Sequence, residues 1–180
     1  MTRAIRCDAI NVLAYLFWHR PAADVEGYER RLAEFHDRLR ADPPAGFAGS
    51  VAFRVDVPWL GVGYEDWYVV EDWSALGVLN AAAVDAAHRA EHDAVAGDAA
   101  HGVGGVYERR SGELPLDAAG AADWAAKPLG EPYADWEASR TKALDPTRFA
   151  LWQRQLVLGP APEYCLLSPG EQLSLVTFRA

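Results

Sequence analysis

The chain reads as an α+β protein, a β-α-β-β-α-β unit followed by a shortened second copy of itself. Three observations predict this. Strand-like stretches rich in β-branched and aromatic residues interleave with stretches of three- and four-residue apolar spacing, and proline and glycine punctuate the junctions. The residues after 122 then repeat, in miniature, the order found before 112. The expected organisation is one unit over 1–112, a linker over 113–122 and an abbreviated unit over 123–180, packed as one domain.

The first strand is AINVLAYLFW, Ala9 to Trp18, stopped at His19-Arg20-Pro21 because proline cannot donate to a ladder. Asp24 then caps a helix whose apolar stripe is Val25, Tyr28, Leu32, Phe35 and Leu39, ended by Asp42-Pro43-Pro44. From Ser50 to Val57 the alternation is regular. Val51, Phe53, Val55 and Val57 fall on one face, expected to pack on a helix, and Ser50, Ala52, Arg54 and Asp56 on the other. After the turn residues Pro58 to Gly63, YEDWYVVEDW is the hairpin partner. Ser74 opens an alanine-rich helix running toward Val95, and Gly102 to Arg109 is the unit's last strand.

In the second copy WAAKP (Trp124 to Pro128) parallels FWHRP (Phe17 to Pro21), and YADWEASRTKAL (Tyr133 to Leu144) parallels the first helix. ALWQRQLVLGPAPEYCLL, starting at Ala150, parallels the first hairpin and sets Arg154 opposite Arg54 and Glu163 opposite Asp66. The second helix is missing, and Leu173 to Phe178 closes the copy.

This pattern resembles the dimeric α+β barrel superfamily, ferredoxin-like units whose two sheets enclose a central cavity. Its members include stress-responsive barrel proteins, antibiotic-biosynthesis monooxygenases and chlorite-dismutase-like haem proteins. WQRQLVLGPAPEYC, Trp152 to Cys165, also resembles a stretch in bacterial proteins of the same shape. The resemblance implies a single-chain pseudo-dimeric barrel, a monomer or loose homodimer, and a cavity for a small molecule. Related haem barrels take their proximal histidine from the second half. No histidine follows His101 here, so haem is not expected.

Composition narrows the function classes. A net charge of −9, from 26 acidic and 17 basic residues without a basic block, gives nucleic acid no footprint. Asp8 and Asn11 interrupt what would be the apolar stretch of a signal peptide, and no apolar run reaches the ~20 residues of a membrane span. The expectation is a cytoplasmic protein with no membrane partner, whose Cys7 and Cys165 stay reduced. Nucleotide-binding, metalloprotease and hydrolase signatures are all lacking, and no cofactor is expected.

Several residues could carry chemistry. His19, at the strand end, is either a general acid–base residue or an exposed loop histidine. Arg54 and Arg154, if the copies align, point into one shared cavity with Asp56 and Glu163. There they form either an ion-pair network or a receptor for an anionic ligand, against which Trp152 packs. Cys165 is a nucleophile or an inert buried thiol. His88 and His92 share one helix face, a usable metal geometry without a third ligand at fixed spacing, or else mark a solvated helix end. Two functions fit. One is a cofactor-poor enzyme of monooxygenase, isomerase or cyclase type acting on an apolar or aromatic anionic compound; the other is a non-catalytic ligand-binding or protein-interaction module.

Overall fold

Alternation and helical spacing translate into twelve principal elements. A computed structural model of the chain describes residues 12–155 and 159–176. Ala9 to Asn11, Cys7, and Thr177 and Phe178 lie outside the described residues.

The chain runs β1 (Leu13–Pro21), α1 (Val25–Ala41), β2 (Phe47–Val57), β3 (Gly61–Val70), α2 (Trp73–Val84), α3 (Arg89–Ala96) and β4 (Ala99–Gly112). It continues through β5 (Ala121–Ala125), α4 (Tyr133–Thr141), β6 (Ala150–Arg154), β7 (Tyr164–Ser168) and β8 (Ser174–Leu175). All strands pair antiparallel in one sheet ordered β5-β7-β6-β4-β1-β3-β2-β8. This is an α+β fold with a curled, half-barrel sheet and four helices among the described residues. The curl brings its ends together, where Gly120 O accepts from the backbone N–H of Gln172 and Leu173 just before β8.

Helix α1 starts where the sequence says, Asp24 accepting from Gly27 N at 3.0 Å, and buries Tyr28, Leu32, Phe35, His36 and Leu39. Val25, expected in the stripe, is 53% exposed. The second helical stretch differs more. Asp72 rather than Ser74 caps it, through Ala75 N at 2.8 Å, and it breaks after Val84 into two helices. The break is pinned by His88, buried at the start of α3, whose Nε2 lies 2.9 Å from Asp42 O at the end of α1. His88 is thus an inter-helix tie.

The facing of β2 is the reverse of the expectation. Val51, Phe53 and Val55 point away from the helices into the concave side of the sheet, joining Leu16, Trp18, Trp67, Tyr107, Trp152 and Cys165 in the main core. Ser50 and Ala52 lie beneath α1. Alternation defines two faces but not which one a helix covers. The concave side is wrapped by the curled sheet and takes the bulky residues of β2, whereas α1 seats closely on its small ones. Leu114, Leu116 and Ala119, within 113–122, belong to the same interior core.

Candidate functional site

Between helices α1, α2 and α3 and strands β1, β3 and β4 lies an open cavity of about 810 Å³. Its floor comes from alternation. On β1, Tyr15, Phe17 and His19 face the helices, and on β3, Asp66 and Tyr68 do. Tyr28 and Phe35 reach down from α1, while α2 and α3 add Trp73, Leu79, His92 and Val95. Gly102 and Gly104 of β4 lie beside Phe17 and Tyr15, and a side chain at Gly102 would run into the Phe17 ring. The GVGG stretch therefore marks a close approach of aromatic rings to a strand. Sequence reading could have used that signal.

The deepest part of the floor is polar and sealed. His19, His36, Ser50 and Asp66 are each 0–1% exposed. His19 Nδ1 lies 2.5 Å from Tyr28 Oη, and its Nε2 approaches Asp66 Oδ2 obliquely at 3.0 Å. His19 is also stacked between Phe17 and Tyr64. The same Asp66 oxygen accepts from the Tyr68 hydroxyl at 2.9 Å and has His36 Nε2 at 3.6 Å. His36 is fixed by Ser50 Oγ, 2.6 Å from its Nδ1. Asp66 Oδ1, equally buried, has no hydrogen-bond partner among the described residues.

Burial opposes ionisation of Asp66, yet His19 and then His36 beside it hold its carboxyl well below the usual range. Burial, followed by the Asp66 charge, pushes the Tyr28, Tyr68 and Tyr15 phenols upward, so these tyrosines stay neutral donors.

The other expected site residues do not assemble. Arg54 lies on the helix-covered face, its Nε and Nη2 donating to Glu29 of α1 at 2.6 and 2.8 Å, with Tyr64 completing the cluster. Asp56 is exposed, on the same face. Trp152 is buried in the concave core, edge-on to Trp67. Arg154 shares that face, but its guanidinium donates to the Ala161 and Pro162 carbonyls at the end of the hairpin. Glu163 accepts from Gln153 and Tyr133. The arginines thus sit on opposite faces of the sheet, which corrects their shared cavity. Because side chains alternate with a period of two, residues on opposite faces cannot be equivalent positions of two copies, so the pairing of Arg54 with Arg154 is also wrong.

Cys165 is fully buried, and burial pushes its thiol upward, as an inert thiol requires. His88 and His92 have separate partners, Asp42 O and Asp93, and no cluster of three metal-ligating side chains occurs among the described residues. Beneath α4 the space is filled, with Trp136 packed 4.3 Å, centroid to centroid, from Tyr164.

No family model and no curated protein matches the chain in sequence. Solved structures do share its shape. A candidate monooxygenase from Fusobacterium nucleatum subsp. nucleatum, 11% identical, superposes with a TM-score of 0.54 over 90% of this chain and 76% of that one. A candidate monooxygenase from Lactobacillus acidophilus NCFM, 12% identical, gives 0.49 over 90% and 78%. The likeness is one of fold and rests on the first, with which the chain shares an α+β arrangement built on a curled antiparallel sheet. No helix among the described residues is long and apolar enough to cross a membrane.

Proposed function

We propose that the helix-side cavity binds an apolar or aromatic small molecule and moves a proton from it, as a cofactor-poor enzyme of monooxygenase, isomerase or cyclase type. One observation carries this reading: Tyr28, His19 and Asp66 stand in series at the floor of the cavity, Tyr28 Oη 2.5 Å from His19 Nδ1 and His19 Nε2 at ion-pair distance, 3.0 Å, from Asp66 Oδ2. The ligand's proton passes to Tyr28 Oη while the Tyr28 hydroxyl proton moves to His19 Nδ1. The imidazolium so formed lies against Asp66, which the surrounding groups keep ionised. An anionic ligand was expected from two arginines facing one cavity. With Arg54 and Arg154 engaged elsewhere, the ligand enters neutral and becomes anionic only by giving up its proton.

The architecture supports a wider reading. The order β5-β7-β6 repeats β1-β3-β2, each with a helix between its first two strands, so the chain is read as two fused ferredoxin-like copies. Such a fusion closes its own core as a monomer or loose homodimer and is assigned to the cytoplasm, with neither nucleic acid nor membrane as partner.

Native mass spectrometry of protein purified from its own host tests the function. A retained organic molecule is expected, and in D2O the wild type should exchange its acidic hydrogen. Tyr28→Phe and His19→Gln should slow that exchange by roughly 10²-fold or more. Retention without exchange in the wild type would instead favour the non-catalytic binding module.

A further inference from the structure

We infer that the cavity selects an uncharged aromatic ligand bearing a hydrogen-bond donor, a hydroxyl or amine, read by Asp66 Oδ1, and that it rejects carboxylates. This inference rests on the cavity being the binding site. The deciding feature is an imbalance of donors and acceptors. Asp66 Oδ2 accepts from the Tyr68 hydroxyl and has two imidazoles at ion-pair distance, His19 Nε2 making no hydrogen bond of its own, whereas Oδ1 is just as buried and has no partner among the described residues. A buried acceptor left without a donor is costly, and a ligand O–H or N–H aimed at it recovers that cost. A ligand of the same shape lacking the donor leaves the oxygen unsatisfied and is discriminated against.

Charge points the same way. Among the described residues no lysine or arginine lines the cavity; its titratable groups are Asp66, the phenols of Tyr15, Tyr28 and Tyr68, and His19, His92 and His101. Asp66 is held ionised at the floor, so a carboxylate would meet its charge with no lysine or arginine of that lining to offset it. Shape supplies the aromatic part. Tyr15, Phe17 and Tyr68 form a stacked ring series along one wall. On the helix side, Ala83 of α2 and Ala96 of α3 present only methyl groups to the cavity. A flat ring fits between an aromatic wall and a wall of methyl groups.

Four probes of one shape test this by calorimetry and by NMR shift mapping on the intact chain: 2-naphthol, 2-naphthylamine, 2-methoxynaphthalene and 2-naphthoate. The naphthol and the neutral amine should bind, with shifts at Tyr15, Phe17 and Tyr68. The methyl ether should bind at least 10-fold more weakly and the carboxylate not at all. Asp66→Asn should bring naphthol and methyl ether within about 3-fold of each other and admit the carboxylate, and its unfolding midpoint reports that it is folded. If naphthol and ether bind the wild-type cavity equally, the Asp66 reading is overturned while the cavity stands. Carboxylate binding in the cavity overturns it too. If no probe shifts a cavity residue, the binding site itself is wrong and both readings fall. Should Asp66→Asn fail to fold, Tyr68→Phe keeps the test. It frees Oδ2 of its hydroxyl donor and should leave the preference for naphthol over ether intact or sharpen it, and loss of that preference overturns the inference.

Discussion

Glu65 and Asp66 are neighbours on β3, each 1% exposed, and they stand in opposite electrostatic states. Alternation sends Glu65 into the concave core, where its two oxygens accept from the indole N–H of Trp18 at 2.7 Å and Trp67 at 2.6 Å. Burial outweighs those two donors, and the Glu65 carboxyl is pushed up to about 7. Asp66 points to the other face, among two imidazoles and a phenol, and is held down. Equal burial therefore does not make equal acids. Neutral dipoles only moderate desolvation, while groups able to carry positive charge reverse it. The face with the reversed acid is also the face with the cavity.

The largest effect that should separate the two comes from truncation. Asp66→Ala strands two buried histidines and should cost about 3–5 kcal/mol in urea unfolding. Glu65→Ala strands two indole N–H groups in an apolar core and should cost about 1–3 kcal/mol. Equal losses would erase the distinction.

Next in size is a difference in sign with pH. Asp66, lowered from an ordinary 3.8, contributes stability that is present above that value and lost as pH falls through its folded pKa. Glu65, raised from 4.5 to about 7, contributes stability fully present below 4.5 and lost as pH rises to about 7. Between those limits Glu65 should remove on the order of 2–3 kcal/mol. Unfolding midpoints measured from pH 4 to 8 should therefore show a declining limb that Glu65→Gln flattens. A limb unchanged in that variant would place the titration elsewhere.

The smallest effect sharpens the contrast between sealed and open charge. The Arg54–Glu29 pair is close but exposed, the Arg54 side chain being 42% accessible, so Arg54→Ala should cost only about 0.2–1 kcal/mol and less in high salt. A loss above about 2 kcal/mol would show that this pair behaves like the buried cluster.

Much was legible without coordinates. The strand and helix order, the Asp24 cap, the apolar stripe of α1 and the absence of a helix between β7 and β8 follow from spacing and turn chemistry, which are local. The break at His88 was not legible, because alanine-rich sequence favours continuous helix and only the Asp42 carbonyl, 46 residues away in the chain, explains the interruption. His19 was singled out as a possible acid–base residue beside the alternative of an exposed loop histidine. Its burial came from β1 continuing to Pro21 beneath α1.

By itself, then, the sequence determined which residues alternate and which stretches coil, since each depends on neighbours a few positions apart. Which face of each strand meets a helix was decided only by the tertiary structure. Both faces of β2 and β3 carry enough apolar surface to be buried, and the curl of the sheet settles which side is enclosed. That one choice put Arg54 outside, Glu65 among the tryptophans and Asp66 at the floor of the cavity, because a period of two makes every facing on a strand follow from the first.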